Sequence, residues 1–268
     1  MNVIVPATKR EINMRVLLRP LQLVYVLYAF LTFILLMIPV FIWSLLVLPL
    51  GKIKGGNLIY SACMAWADIW FELVFIKHKN IFLQKLKKDK SYIFVANHIS
   101  YFDSAVIPKT FRRPIRPLGK VEMAKVPIFG FIYKNTIVTV DRSSIANRTK
   151  SVHILKSILR KGISILVFPE GTFNMTHKPL KSFYDGAFRI AIETGTPIRP
   201  VLLLNTYDRL HYKSIFSFNP GKSRSVYLQE VSVEGLTSHD VAQLKARVYT
   251  MMEEALIKYG AKWIKKTS

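Results

Sequence analysis

A long apolar run without charge is the strongest pattern in the N-terminal part of the chain. Residues 1–20 are polar and include four basic side chains, whereas residues 21–50 contain no charged side chain. Such a run is long enough to enter a bilayer core of roughly 30 Å and too long for a cleaved signal peptide. Pro39 predicts a kink or break near its middle, and residues 51–56 predict a loop at its end.

A second helix is predicted from about residue 57 to residue 76. Apolar residues recur at alternating steps of four and three and form one stripe, which consists of Ile59, Cys63, Trp66, Trp70 and Leu73. The opposite face carries Ser61, Asp68 and Glu72. Because acidic residues disfavour a lipid-exposed span, we interpret this helix as packing on the first helix or lying in the membrane interface. An ordinary core helix is the alternative.

From residue 77 onward, short apolar runs alternate with helical patterns. Strands are predicted at residues 92–96, 136–140, 163–168, 198–204 and 225–231. Helices are predicted at residues 144–161 and 187–194, and a last helix opens with the capping box Thr237 to Asp240 and runs to Gly260. This alternation predicts an α/β fold: a mixed, largely parallel sheet with flanking helices, preceded by an N-terminal membrane-associated helical element. We therefore divide the chain into residues 1–76, the membrane-anchoring helices, and residues 77–268, an α/β domain.

The strongly positive net charge indicates which classes of partner the protein binds. The 268 residues carry a formal net charge of +23, from 39 Lys and Arg against 16 Asp and Glu, which suits a nucleic acid, an anionic membrane or an acidic substrate. An apolar fraction of 51% argues against a nucleic-acid-binding tail. Basic residues also flank Trp263 and Ile264, as is typical of a membrane interface, although a solvated surface is the alternative for any single cluster.

The location of the α/β domain follows from two further observations. Cys63 is the only cysteine, which excludes an intrachain disulfide and a cysteine-based metal site and is consistent with a reducing compartment. Four basic residues precede the apolar run and two closely follow it, so a single span would place the domain outside. A kinked or hairpin insertion would return it to the cytosolic side. We expect a membrane protein with its catalytic domain on the cytoplasmic face.

The first chemical signal is a histidine followed five residues later by an aspartate. His98 comes directly after the apolar strand at residues 92–96, and Asp103 would lie in the first turn of the next helix. On a continuous helix residues five apart are about 140° apart, but a turn between strand and helix can bring Asp103 under His98. An aspartate that accepts from one imidazole nitrogen leaves the other as a general base. The alternative is that Ser100 and Asp103 form a capping box and that His98 is a loop residue.

The second signal is Phe168-Pro169-Glu170-Gly171-Thr172, which ends the predicted strand at residues 163–168. Polar residues at the carboxyl end of a strand lie where open α/β sheets bind ligands. Gly171 permits close backbone approach, and its N–H is a candidate donor to an oxyanion. The alternative is a tight turn with a surface glutamate.

These motifs resemble the glycerolipid acyltransferase family, specifically the 1-acylglycerol-3-phosphate acyltransferase-like members with a His-x4-Asp motif. The first motif matches at Asn97, His98, Ser100 and Asp103, and the third at Phe168 to Thr172. The second region is similar from Gly119-Lys120-Val121-Glu122 through Pro127 and Gly130 to Val140-Asp141-Arg142, and the fourth at Thr196 to Val201. The resemblance covers about residues 90–205, with the motifs in the family's order.

The resemblance implies an enzyme of phospholipid biosynthesis. Such an acyltransferase moves a fatty acyl group from acyl-CoA or acyl-carrier protein to a lysolipid hydroxyl, here 1-acylglycerol-3-phosphate giving phosphatidic acid. His98 would be the base and Asp103 would orient it. Gly171 would bind the oxyanion, and the acceptor would be positioned by Glu170, Thr172, Lys120 and Arg142. The expected partners are the bilayer, the lysolipid and the acyl donor, with no nucleic acid, no metal and no further cofactor.

One position departs from the family pattern. The arginine that usually follows the third motif, where it helps to hold the acceptor's phosphate, is replaced by Phe173, and Tyr184-Asp185 replaces a basic pair before Gly186. Loss of a bidentate phosphate donor favours a phosphate-free acceptor such as a lyso-aminolipid. Alternatively, the phosphate is held by one of five cations: Lys120, Arg142, Lys178, Lys181 or Arg199. A non-catalytic basic membrane-binding protein is the alternative from another class.

Overall fold

The computed structural model describes residues 9–140 and 145–265. Its helices are α1 (Lys9–Val47), α2 (Gly51–Leu73), α3 (Phe102–Thr110), α4 (Phe129–Thr136), α5 (Ile145–Arg160), α6 (Gly186–Thr194), α7 (Thr206–Arg209) and α8 (Val241–Lys258). Its strands are β1 (Ile76–Phe82), β2 (Ile93–Ala96), β3 (Ile115–Lys120), β4 (Val138–Val140), β5 (Ser164–Val167), β6 (Ile198–Leu204) and β7 (Gly221–Tyr227). Short 3-10 helices lie at Leu48–Leu50, Val121–Lys125, Ile215–Ser217 and Ser238–Asp240.

The strands form one sheet in the order β1-β7-β6-β2-β5-β3-β4. Strands β2 to β6 run parallel, whereas β7 is antiparallel to β6 and carries β1 parallel to itself at the edge. The predicted mixed, largely parallel sheet with flanking helices is therefore confirmed. β6 has the predicted bounds, and the capping box of Thr237 and Asp240 is present before α8.

Two strands escaped the sequence patterns, and two others are shifted. β1 contains two lysines and a histidine because it is an edge strand with one face toward solvent. β3 contains Pro117 and Gly119, residues that usually argue against a strand. The strand predicted at residues 225–231 has the wrong bounds, since β7 lies at Gly221–Tyr227. The strand predicted from residue 136 begins at Val138, because Thr136 still belongs to α4.

The N-terminal helices differ from the prediction in two respects. A kink or break was predicted at Pro39, and a break does not occur, since α1 continues through both of its prolines to Val47. The loop predicted at residues 51–56 is instead the first part of α2. A Cβ atom at Gly55 would lie 2.6 Å from the carbonyl oxygen of Val47, and one at Gly56 would lie 2.7 Å from that of Asn135. These glycines therefore allow close helix packing rather than a flexible loop.

Each face of the sheet carries its own hydrophobic core. One core contains the apolar residues of α5, α6 and α8, and the other contains those of α1 to α4. Trp70 and Phe71 of α2 pack in the second core together with Phe94 of β2 and Tyr227 of β7. Of the predicted apolar stripe, only Leu73 is exposed. The N-terminal helices thus cover one sheet face, and the division of the chain at residue 76, which remains a prediction, lies within a shared core.

The outer side of these helices is strongly apolar. In the described part of the chain, one helical stretch, Arg19–Leu73, is long and apolar enough to cross a membrane, and only 22% of its most apolar window is buried. Leu21, Val24, Phe30 and Leu46 are each more than 60% exposed. A contiguous exposed apolar face of this kind is typical of a membrane or protein interaction site.

Candidate active site

The two sequence motifs lie at one edge of the sheet, after neighbouring strands. β2 and β5 run parallel, with Val95 paired to Val167, so the chain leaves both strands at the same edge. The next strand, β3, ends at that edge with Lys120, whose register partner in β4 is Val140. The sheet topology therefore brings together the three segments that carry the predicted site residues, at the edge where open α/β sheets bind ligands.

Asp103 holds the imidazole of His98. Its Oδ2 lies 2.8 Å from His98 Nδ1 and also accepts the backbone N–H groups of Ile99 at 2.8 Å and Ser100 at 2.9 Å. Asp103 is fully buried in the first turn of α3. Three donors on one oxygen fix the carboxylate, so the predicted turn does bring Asp103 under His98. An Nδ1–H donated to Asp103 leaves Nε2 as the basic nitrogen.

The second ring nitrogen of His98 faces the open side of the site. Within the described residues Nε2 has no hydrogen-bond partner, and the side chain is 19% exposed. Phe168 stacks on the imidazole at a centroid distance of 4.3 Å, and Phe173 contacts it edge-on at 4.4 Å. The ring is therefore oriented by Asp103 and by two aromatic neighbours while one nitrogen stays accessible.

The other matched residues of the first motif have structural contacts. The Asn97 side chain exchanges two hydrogen bonds with the backbone of Leu203, at 2.8 and 3.1 Å, and so ties the end of β2 to β6. The Ser100 hydroxyl donates to the Leu210 carbonyl and accepts the N–H of Phe102 at 3.0 Å. A hydroxyl used in this way is poorly placed to act as a nucleophile.

Glu170 is buried, and its carboxylate connects two backbone segments of the site. Its Oε1 accepts the backbone N–H of His98 at 2.8 Å, and its Oε2 accepts the backbone N–H of Lys181 at 2.8 Å. Burial raises the pKa of Glu170 to about 7, and nearby Asp103 adds to the increase, while the two N–H donors and the Lys181 charge oppose it. Both oxygens have backbone partners and the side chain is buried, so the structure gives Glu170 a structural contact, and its role in positioning the acceptor stays a prediction.

Gly171 also differs from the expectation. It adopts a left-handed conformation with φ of +72°, as glycine readily does, and its N–H donates to the Phe168 carbonyl at 3.0 Å. The candidate oxyanion donor is thus used within its own turn. Within the described chain, the N–H groups of Thr172 and Phe173 donate no hydrogen bond. The Thr172 hydroxyl accepts from Lys181 Nζ at 2.8 Å.

Comparison with known proteins agrees with the resemblance of the motifs. The family model described as Acyltransferase matches residues 77–204, which contain every motif above. A 1-acyl-sn-glycerol-3-phosphate acyltransferase of Haemophilus influenzae is 28% identical over 71% of this chain and 79% of its own length. That of Salmonella typhimurium is 30% identical over 61% and 66%. The chain belongs to the glycerolipid acyltransferase family.

Two further matches define how far this family assignment extends. An uncharacterized acyltransferase of Schizosaccharomyces pombe is 33% identical over 64% of this chain, which spans 62% of that protein's length. The crystal structure of the 1-acyl-sn-glycerophosphate acyltransferase of Thermotoga maritima matches with a TM-score of 0.71, covering 92% of this chain and 100% of that one. At 23% identity this match shows the fold. The predicted fold and acyltransferase family are confirmed.

The basic residues offered in place of the family's arginine are not equivalent. Arg199 is fully buried in β6 and donates to the side chain and backbone of Gln84, so it is excluded from the site. Lys120 is exposed at the carboxyl end of β3. Arg142 lies outside the described residues, and its assignment stays a prediction. Lys181, one of the five cations, contacts Thr172, which adjoins Phe173. No local sequence pattern predicts this contact, because the two residues are nine positions apart in a loop.

Proposed function

We propose that this protein transfers a fatty acyl group from a thioester donor to the free hydroxyl of a lysophospholipid, with 1-acylglycerol-3-phosphate as acceptor and phosphatidic acid as product. The observation that carries the proposal is the contact of Asp103 with His98 Nδ1 at 2.8 Å beside an accessible Nε2. The Haemophilus and Salmonella relatives are named 1-acyl-sn-glycerol-3-phosphate acyltransferases, which supports the same acceptor. Both acyl-CoA and acyl-carrier protein suit the positive charge of the chain.

The proposed mechanism is direct transfer through His98. Nε2 removes the proton of the acceptor hydroxyl while the oxygen attacks the thioester carbonyl carbon, and the Asp103 carboxylate stabilises the imidazolium. Collapse of the tetrahedral intermediate breaks the carbon–sulfur bond, and the imidazolium returns the proton to the leaving thiolate. An acyl-enzyme on Ser100 is disfavoured because its hydroxyl is bound to Leu210 and Phe102.

Charge on the carbonyl oxygen needs donors other than the one predicted from sequence. Because the Gly171 N–H is bound to Phe168, we assign oxyanion stabilisation to the next backbone donors, Thr172 and Phe173. The Phe173 ring contacts the His98 ring, so the chain segment that carries these N–H groups approaches the proposed base.

The proposal places the reaction at a membrane surface. The exposed apolar face of α1 and α2 supports insertion into or along a bilayer, where a lysolipid acceptor resides. Ile215 and Phe216 extend this face, since the Gln22 side chain of α1 donates to the backbone of the 3-10 turn at Phe216 and to Phe218. We propose that the catalytic domain lies on the cytoplasmic face, where acyl-CoA and acyl-carrier protein occur.

A second candidate is the same transfer to a phosphate-free lysolipid. Phe173 supports it, because an aromatic ring packed on His98 and on Tyr101 at 4.7 Å occupies the position of the family's phosphate-binding arginine. If this candidate is right, lysophosphatidic acid is a poor substrate of the wild-type protein and Phe173→Arg improves its use.

A panel of acceptors tests both candidates. Purified protein in detergent or vesicles is given oleoyl-CoA with lysophosphatidic acid, a zwitterionic lysolipid, a lyso-aminolipid or monoacylglycerol, and thiol release is recorded. We expect the fastest release with lysophosphatidic acid, and none from His98→Ala protein that melts like the wild type. Faster acylation of a phosphate-free acceptor would establish the second candidate. Lipid binding without thiol release from either acyl-CoA or acyl-carrier protein, whichever acceptor is supplied, would indicate a non-catalytic membrane-binding protein.

A further inference from the structure

We propose that Lys181 binds the phosphate of the acceptor in place of the arginine that the family carries at position 173. This inference rests on the proposed acyl transfer to a phosphate-bearing lysolipid. Lys181 lies outside the matched motifs and contacts Thr172 because the loop after the third motif folds back toward that motif.

The position of the Lys181 ammonium group is the first argument. Nζ donates to the hydroxyl of Thr172 at 2.8 Å, and Thr172 is the residue directly before Phe173. The cation therefore lies next to the position from which the family's arginine projects. An ammonium group beside a threonine hydroxyl offers a charge and a neutral donor, which together suit the oxygens of a phosphate monoester.

The backbone of Lys181 is fixed to the same support as the proposed base. Its N–H donates to Glu170 Oε2 at 2.8 Å, while Oε1 of the same carboxylate accepts the N–H of His98 at 2.8 Å. A single buried side chain thus sets the distance between the two backbone segments. Such a fixed separation is what simultaneous recognition of a headgroup and of a reacting hydroxyl requires.

Among the described residues, the Lys181 ammonium group has no ion-pair partner. No carboxylate of the described chain lies within ion-pair distance of its Nζ, whereas nearby Lys245 is paired with Asp185 at 2.6 Å. Lys181 also borders an open groove of about 580 Å³, although His98, Thr172 and Phe173 do not line it. An unpaired ammonium group that is open to solvent is available to an anionic ligand.

The KM for two acceptors tests this assignment. In Lys181→Met protein we expect the KM for lysophosphatidic acid to rise at least about tenfold, the usual effect of losing a charged hydrogen bond, with kcat and the KM for monoacylglycerol little changed. Lys181→Arg should retain most of the affinity. Lys161→Met is the control, because Lys161 is an exposed lysine that precedes β5 and so lies at the opposite edge of the sheet from the site, and the KM of this variant should stay within about twofold of wild type.

Rescue of the charge separates recognition from a structural effect. Phe173→Arg in the Lys181→Met background should lower the KM for lysophosphatidic acid again, whereas Phe173→Leu should not. The inference is overturned if Lys181→Met leaves this KM unchanged, raises it equally for monoacylglycerol, or raises the KM for oleoyl-CoA instead.

Equilibrium binding distinguishes failure of this inference from failure of the proposed reaction. Binding of lysophosphatidic acid to His98→Ala protein is compared with binding to the His98→Ala, Lys181→Met double variant. Loss of affinity in the double variant supports Lys181 as the phosphate ligand even if no acyl transfer is detected. Equal affinity overturns the assignment even if the wild-type protein is an active acyltransferase.

Discussion

Glu170 accepts the backbone N–H of His98 at 2.8 Å, although 72 residues separate the two along the chain. This contact joins the loop after β5 to the loop after β2 and fixes the backbone from which the imidazole projects. The carboxylate is buried, so its protonation state is linked to the integrity of the site. The third motif therefore supports the geometry of the first rather than only contributing ligands.

Replacing Glu170 by glutamine should change how stability depends on pH. Burial raises the pKa of Glu170 from 4.5 to about 7. Between these values the folded chain binds a proton that the unfolded chain has lost, so the free energy of unfolding falls as pH rises through this window. Glu170→Gln resembles the protonated form and should lack this decrease, which amounts to roughly 3 kcal/mol. Urea unfolding on both sides of the window measures it.

The control for this prediction is Glu234→Gln, which alters an exposed glutamate. Its stability should follow pH as the wild type does. Parallel pH profiles of wild type and Glu170→Gln would mean that Glu170 has the same proton affinity in the folded and unfolded chain.

Replacing Asp103 by asparagine should reduce turnover without unfolding the protein. An amide of the same shape can still meet the N–H groups of Ile99 and Ser100, but it does not balance the charge of a His98 imidazolium. We expect kcat to fall roughly 10²–10⁴-fold, the range of general-base catalysis, with little change in KM. Thiol release and thermal melting are the measurements. The control is Asp89→Asn, which alters an exposed loop residue. A wild-type kcat in folded Asp103→Asn protein would contradict the mechanism.

Lysine substitutions on the exposed face of α1 should weaken membrane binding. Leu27, Leu31 and Leu46 are 56–68% exposed and lie outside the cores, so their replacement removes apolar surface without opening a cavity. We expect the triple variant to pellet less with phosphatidylcholine vesicles at high salt, where charge attraction is screened. Deletion of residues 1–76 is a poorer test, because α2 also covers the sheet.

The matched control carries three lysines on α8, at the exposed positions Ala242, Gln243 and Thr250. This variant gains the same charge and should pellet like the wild type. Equal loss of vesicle binding in both triple variants would show that net charge rather than the α1 face decides it.

Gly55→Ala should destabilise the packing of α2 against α1. The new methyl group would lie 2.6 Å from the Val47 carbonyl oxygen, closer than any normal contact, and overpacking of this kind costs about 1–3 kcal/mol. Gly186→Ala is the control, since no atom lies within 4 Å of a Cβ there and the residue begins α6. Thermal melting should show a lower Tm for the first variant and an equal or higher Tm for the second. Identical melting of both would mean that the helices can separate without cost.

Local patterns were sufficient for much of the fold and for the first motif. Strand β6 and the capping box before α8 follow from the order of apolar and turn residues, which needs only neighbouring positions. The contact of His98 with Asp103 spans five residues and depends on one turn. The local sequence predicts short-range geometry of this kind, because few backbone conformations connect a strand to a helix over such a distance.

Contacts between distant segments were decided by the tertiary structure. Periodicity identifies a strand but not its partner, so the pairing of Ile76 with Gly221 at the sheet edge had no local signal. The same holds for the use of the Gly171 N–H within its turn and for the contact of Lys181 with Thr172. The amino-acid sequence determined which chemical groups are present and which family motifs they form. Packing of the loops decided which of those groups remain free for a ligand, because hydrogen-bond donors and charges are taken up by whichever partner the fold brings nearest.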